Sequence, residues 1–297
     1  MNKLGASPQL ECWNIGKVEI PRCIIIMNNE IIIRVGSFLA VFSLIALWEI
    51  AARRRPLMTS KRVRWFNNLG ITFINALLVR LVFPVLAVSM AIKAQQSGWG
   101  FLNNFDLPFW LNCVIGIVAL DLTIYLQHVM FHAIPTLWRL HMVHHADLDY
   151  DLTTGLRFHP LEMILSMGVK TFVVAALGPP AEAVITFEIL LNGLAMFNHG
   201  NIKLPLKIDR AVRYIIVTPD MHRVHHSVIL RETNSNYGFN LSWWDRLFGT
   251  YCDQPSQGHD GMTIGLSQFR DPKKLTLPWL LVLPFIGDPG RQPINRL

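Results

Sequence analysis

The stretch LPFWLNCVIGIVALDLTIYLQHVMFHAIPTLWRLHMVHH, from Leu107 to His145, passes from a long apolar run directly into five histidines. An apolar run of about 20 residues is what a helix needs to cross a bilayer core of roughly 30 Å. The histidines that follow are spaced for one helix face, as His128-x3-His132 and His141-x2-His144-His145, because residues three and four apart stack above one another. The stretch therefore predicts a membrane helix that delivers metal-ligating side chains to one surface.

Beyond it lie His159, His199 and a second HxxHH, His222-x2-His225-His226, so ten of the eleven histidines fall between positions 128 and 226. Imidazole is the commonest metal ligand and suits zinc, iron and copper. Ten such nitrogens exceed the roughly four to six positions around one ion, which makes two ions in one site the economical reading.

The whole chain supports the membrane assignment: of 297 residues, 52% are hydrophobic and 16% charged. Candidate spans are Gly36–Ala52, Leu69–Ile92, Leu107–Leu126, and a hairpin of Leu161–Leu177 and Ala183–Phe197 around Gly178-Pro179-Pro180. Seventeen residues at ~1.5 Å each reach only ~26 Å, so the hairpin reads as tilted or re-entrant. The expected fold is all-α and integral to the membrane, with about four transmembrane or hairpin helices and a cytoplasmic histidine-rich dimetal cap. Thr276–Ile286 is too short to span and reads as an interfacial segment.

The net charge of +7 comes without a basic stripe interleaved with aromatics, and no nucleic-acid partner is expected. Its densest part, Arg53 to Arg64, flanks the first span and by the positive-inside rule belongs in the cytoplasm. Counting spans from there brings all ten histidines to one membrane level on the cytoplasmic side, in a multi-pass protein of a bacterial inner membrane. Four cysteines without a CxxC pair give neither a zinc ribbon nor a disulfide framework. Residues 1–26 lack a signal-peptide pattern, and Met27 is expected to be the true start, with 1–26 a non-native or disordered extension.

Ligating imidazoles usually donate their second N–H to an acceptor. Asp121, two helical turns before His128 in an apolar run, is expected to hydrogen-bond to the site, and Asp220 is a further candidate. Asp147, Asp149 and Asp151 read equally well as solvated loop acids, and Arg139 and Arg223 as partners of nearby acids or as exposed side chains. Trp243-Trp244 could sit in an interfacial belt or beneath the metal cap, and a mixture of the two is expected.

The full set, His128/His132, His141/His144/His145, His159-Pro160, His199 and His222/His225/His226, resembles the fatty acid hydroxylase/sterol desaturase superfamily over roughly Leu107 to Tyr251. Its closing stretch Asn234–Tyr251, with Trp243-Trp244-Asp245-Arg246-Leu247-Phe248-Gly249-Thr250-Tyr251, matches the C-terminal signature of that family. The resemblance implies a membrane-bound oxygenase in which the ten histidines hold two iron ions, with zinc possible in their place. It also implies O2-dependent hydroxylation or desaturation of a membrane lipid (sterol, fatty acyl or related). No cytochrome segment is visible, so electrons are expected from a separate ferredoxin, cytochrome or reductase. The implied layout is the extension 1–26, two helices and a basic loop in 27–106, a catalytic domain in 107–252, and a surface segment in 253–297. The competing class is a metal-binding membrane protein without redox chemistry, a zinc hydrolase or a metal-ion transporter. A transporter would carry its ligands along a path through the bilayer, and a zinc hydrolase needs only three ligands and a carboxylate base.

Overall fold

A computed structural model of the chain describes residues 19–83 and 85–290, with side chains from Asn29 onward. Residues 1–18 of the expected extension lie outside the described residues, and from Glu19 the backbone is helical. The elements that position the site are α1 (Glu19–Ala51), α2 (Lys61–Val82), α3 (Ala87–Ser97), α4 (Phe109–Ala133), α5 (Pro135–His145), α6 (Pro160–Leu177), α7 (Ala181–Asn198), α8 (Leu206–Val212) and α9 (Pro219–His225). No strand occurs among the described residues, only isolated bridges such as Ile216 with Leu241. Five stretches are long and apolar enough to cross a membrane: Asn29–Ala51, Lys61–Asn104, Phe109–Ala133, Pro160–Leu177 and Ala181–Asn198. The chain is thus all-helical, with the pattern of a multi-pass membrane protein.

The second expected span, Leu69–Ile92, is not one helix. α2 stops at Val82, Phe83 is extended (φ −111°, ψ 97°), and α3 starts at Ala87. The sequence reason is Pro84, which disfavours a helical conformation for the residue before it.

α2 is inverted relative to a helix of a water-soluble protein. Its buried stripe is largely polar, with Arg64, Asn67, Asn68 and Asn75 beside Ile71 and Val79 on one face at helical spacing, whereas Phe66, Phe73, Leu77 and Leu81 are exposed. An apolar face turned outward is what lipid requires. The polar stripe turned inward holds loops: Asn68 donates to Thr153 Oγ1 at 3.0 Å, Asn75 donates to the Phe158 carbonyl at 2.8 Å, and Asn67 Oδ1 accepts from Leu277 N at 2.7 Å. α1 likewise exposes Ile31, Ile32, Leu44, Leu47 and Ile50. Its inward Arg34 is not isolated, since it pairs with Glu30 and with Glu188 of α7, to which Lys170 of α6 also bonds.

The hairpin turns at Gly178, whose φ of 67° closes α6 as a left-handed cap. Its tip packs on the Trp99–Asn103 loop so closely that a Cβ on Gly178 would lie 2.9 Å from the Trp99 carbonyl oxygen, and one on Gly100 would lie 2.6 Å from Gly178 Cα. The short helix Leu277–Ile286 buries Leu280 and Leu283 beside Trp138 and Met142 of α5, and exposes Trp279, Val282, Phe285 and Ile286. Arg139 secures its end by donating to the carbonyls of Pro284 and Gly287, both at 3.0 Å. The segment after Asp253 is more than a surface wrap. Met262, Ile264 and Leu266 are buried, and Gly265 N bonds the His226 carbonyl at 3.0 Å, closing one side of the histidine region.

Candidate metal centre

α4 ends at Ile134, which is extended because Pro135 follows and opens α5 as its first residue. The sharp turn folds α5 back against α4, so His128 and His132 face the histidines of α5. On α5 the HxxHH spacing divides the triple. His141 and His145, four residues apart, share a face, whereas His144 is displaced by about 100° from His145. On α9, which is capped by Thr218 and begins at Pro219, the same arithmetic keeps His222 with His226 and turns His225 away.

The result is two compact groups. One holds His128, His132, His141, His145 and His225, and the other holds His144, His199, His222 and His226, with the potential ligand atoms of each group all within 4.8 Å of one another. Each HxxHH motif gives its four-spaced pair to one group and its odd member to the other. The groups abut: the rings of His145 and His226 stack with centroids 4.5 Å apart, and His145 and His225 lie at 4.6 Å. All nine histidines are buried.

Their outward nitrogens fix the tautomers. Nδ1 of His128 donates to the Tyr237 carbonyl (2.7 Å), that of His132 to Asn234 Oδ1 (3.2 Å), and that of His225 to the Ser235 carbonyl (2.7 Å). His199 Nδ1 donates to the Ala195 carbonyl at 2.7 Å and His141 Nδ1 to Glu162 Oε1 at 2.6 Å. A neutral ring that donates from Nδ1 carries a bare lone pair on Nε2. Yet Nε2 of His128 stands 3.0 Å from Nε2 of His141 and 3.1 Å from that of His225. Lone pairs facing at that distance repel unless a cation lies between them, so the donor set fits metal ions. His222 has no hydrogen-bond partner on either ring nitrogen among the described residues. Burial pulls His141 and His199 down to about 3, and His144, His145, His222, His225 and His226 well below the usual imidazole value, which keeps them neutral and able to ligate.

The closing sequence signature gains a physical role here. Asp245 accepts from the backbone amides of Tyr237 (2.7 Å) and Gly238 (2.9 Å), and thereby holds the turn whose carbonyls receive His128 and His225. Asn236, the only non-glycine residue with positive φ among the described residues (52°), makes that turn possible. Its side chain is locked by the carbonyls of Met221 and Cys252 and by Cys252 N, each at 2.8 Å. Burial pushes Asp245 up to about 6 despite these bonds.

His159 is not brought into either group. Its Nδ1 accepts from Leu161 N at 3.2 Å as the N-cap of α6, and its Nε2 faces the Leu281 carbonyl at 3.2 Å. Asp121 bonds to no histidine and instead receives Trp244 Nε1 (2.8 Å) and Leu241 N (3.2 Å). Asp220 pairs with Arg223 and Arg54, beside the eleventh histidine, His259. The carboxylate that does touch a histidine of the groups is Glu162, the only acid in the α6 run, three residues after His159. That isolation within an apolar stretch is the signal that could have found it. Asp147 and Asp151 are not solvated either, since Arg64 forks onto Asp147 (2.8 and 2.7 Å) and reaches Asp151 at 2.5 Å. The tryptophan pair divides as expected, with Trp244 bonded inward to Asp121 and Trp243 exposed.

A cavity of about 290 Å³ lies between α2, α4, α6 and α7, with His128 and His141 in its wall. Phe131, Leu156, Met163, Met167, Leu191 and Phe239 make most of the remainder apolar. The first group thus borders a greasy space among the candidate spans.

Residues 113–250 match the fatty acid hydroxylase family model. The chain is 27% identical over 228 residues to an ornithine lipid hydroxylase of Rhizobium tropici, covering 73% of this chain and 66% of that protein. It is 28% identical to human alkylglycerol monooxygenase, covering 74% of this chain and 49% of that one. It is 23% identical to human cholesterol 25-hydroxylase, with 71% and 76% covered. The chain therefore spans between about half and two thirds of the first two relatives. No solved structure matches it significantly.

Proposed function

Since the chain belongs to the fatty acid hydroxylase/sterol desaturase superfamily, we propose that it is a membrane-bound di-iron oxygenase that hydroxylates or desaturates a C–H bond of a lipid. The observation that carries this reading is the pair of abutting histidine groups beside an apolar cavity. His128, His132, His141, His145 and His225 hold one ion, and His144, His199, His222 and His226 the other. Iron bound there supplies activation of O2, with electrons from a separate ferredoxin, cytochrome or reductase.

The donor count favours iron over zinc, since five imidazoles in one group exceed the four ligands of a structural zinc site.

The chain's own residues do three things in this reaction. The Asn234–Tyr237 carbonyl and amide acceptors, with Glu162, orient the rings. The apolar cavity wall excludes water from the reacting carbon. The gaps among the candidate spans admit a lipid sideways from the bilayer, its head group toward the cytoplasmic surface. That side follows from the basic Arg53–Arg64 loop, and the same reading makes 107–252 the catalytic unit. The relatives are an ornithine lipid hydroxylase, an alkylglycerol monooxygenase and a cholesterol 25-hydroxylase, so the proposed substrate class is a polar-headed lipid or a sterol.

The test is metal analysis of the purified protein, with oxygen uptake under added reductant and lipid. Two irons per chain with lipid-dependent uptake is the expected result. Zinc without uptake would return the protein to the class of non-redox metal proteins.

A further inference from the structure

We propose that the apolar chain of a bilayer lipid enters the cavity through a lateral window between α2 and α7, with Ala76 on one side and Asn192 on the other; the inference rests on the oxygenase reading for what the passage serves. Among the described residues that line the cavity, Ala76 and Asn192 alone are exposed, and all the others are buried or half-buried. A residue that borders an internal space and also meets the outside marks an opening. Both positions lie within candidate spans, so the medium outside the opening is lipid.

The two helices bring these residues to one depth. α2 runs away from the basic loop and α7 runs back toward its level, so positions along them count in opposite directions. The Thr154–Leu156 turn ties them together: Thr72 Oγ1 donates to the Leu156 carbonyl at 3.0 Å, and a Cβ on Gly155 would lie 2.5 Å from the Ala195 carbonyl oxygen. Ala76 follows Thr72 by four residues and Asn192 precedes Ala195 by three, which carries them about 6 and 4.5 Å farther from the basic loop. The turn is thus the sill of the window, and the opening lies one helical turn deeper in the apolar core.

α1 stands beside the window without covering it. It meets the start of α2 through Lys61 with Glu49 (3.3 Å) and Phe42 with Trp65 (ring centroids 5.2 Å), whereas toward its other end Arg34 pairs with Glu188 of α7. Along α7 it leaves a second space of about 60 Å³, whose wall includes Arg34, Ser37 and Val41, and Asn192 borders both this space and the cavity. The depth of the opening selects what passes. An apolar chain moves from hydrocarbon to an apolar wall at little cost, whereas a charged head group would have to give up its water. The chain then lies beside His128 and His141, which form part of the same wall.

The experiment uses the purified full-length protein in phosphatidylcholine nanodiscs with palmitic acid carrying a mid-chain diazirine as the probe. Photo-adducts are mapped by mass spectrometry on Ile124 and Phe239, which are buried in the cavity wall, relative to Phe172, which is exposed on α6. Ala76→Trp and Asn192→Trp, on different helices, are each expected to lower the cavity adducts by about 10-fold or more, as overfilling a confined space does. Leu77→Trp, at an exposed neighbour outside the cavity wall, is expected to leave them within about twofold. Ala76→Leu takes the place of a tryptophan variant that does not fold. Cavity adducts absent in the parent, unchanged by the window variants, or lowered equally by Leu77→Trp overturn the inference. Undiminished lipid oxidation in a window variant, with reductant and O2, also overturns it while leaving the oxygenase reading intact. Adducts that fall in the window variants, in a parent that oxidises no lipid, support the window and remove the oxygenase reading.

Discussion

Glu162 Oε1 accepts from Nδ1 of His141 at 2.6 Å, joining the membrane hairpin to the five-histidine group. The bond sets the ring orientation and, through the carboxylate, raises the basicity of the nitrogen that faces the group. Glu162→Ala is expected to lower metal affinity by about 10–100-fold, the usual cost of losing such an outer partner. Glu162→Gln still accepts at the same place and is expected to fall between the two. Metal content after graded chelation measures both, and an alanine variant that retained metal like the parent would show that the bond has no part in ligand positioning.

His159 and His145 separate a capping histidine from a ligating one. His159 closes the first turn of α6 through Leu161 N, whereas His145 lies in the first group with its Nε2 at 3.2 Å from that of His132. His159→Ala is expected to cost about 1 kcal/mol of stability, as for a lost N-cap, and to keep both metals. His145→Ala is expected to lose at least one. The check is a thermal midpoint alongside elemental analysis, and loss of metal in the His159 variant would restore it as a ligand.

The sequence carried the histidine groups because metal ligation imposes spacing, and HxxxH and HxxHH are helix periodicities that can be counted. It carried the spans because lipid imposes apolar length, although the break of the second at Phe83 follows from a single proline whose effect depends on context. Which ion each histidine serves was not legible, since His144 and His145 are adjacent in the chain and part only through a 100° turn of α5. Asp121 misled because a buried acid in a span must have a partner, and sequence proximity pointed to His128, whereas Trp244 supplies it from 123 residues away. Arg64 read as a topology signal and is a buried fork on Asp147 and Asp151. Such long-range pairs have no local pattern.

Stability should fall steeply below neutral pH. The native state keeps His141, His144, His145, His199, His222, His225 and His226 neutral by burial, with values far below the unfolded 6.5. Below pH 6.5 the unfolded chain therefore binds protons that the native chain does not, and each such histidine removes up to about 1.4 kcal/mol per pH unit. Asp147 adds a second, lower window. Arg64 holds its carboxyl below the usual range, so its contribution is intact above about pH 4 and disappears as pH falls through the native value. Denaturation midpoints of the metal-free protein between pH 8 and 5 test the histidine window. A flat profile there would falsify the neutral, buried state.

Gly155 sets how closely the loop after Asp151 approaches the end of α7. A Cβ at this position would lie 2.5 Å from the Ala195 carbonyl oxygen, 2.9 Å from its carbon and 3.0 Å from His199 Nδ1. The oxygen is the one that His199 Nδ1 uses at 2.7 Å, and backbone cannot step aside as a flexible side chain would. Gly155→Ala should therefore part the loop from α7, cost about 1–3 kcal/mol as overpacking does, and displace His199 from the second group. Gly193→Ala in the same helix is the contrast. Its nearest neighbours are Val41 methyls at 3.8 Å, so the added methyl fits and the usual helix preference for alanine should stabilise by about 0.5–1 kcal/mol. The pair is read by thermal midpoint and by metals per chain: one metal in the Gly155 variant against two in the Gly193 variant assigns His199 to the second ion, whereas two in both would show that the loop contact bears on stability alone.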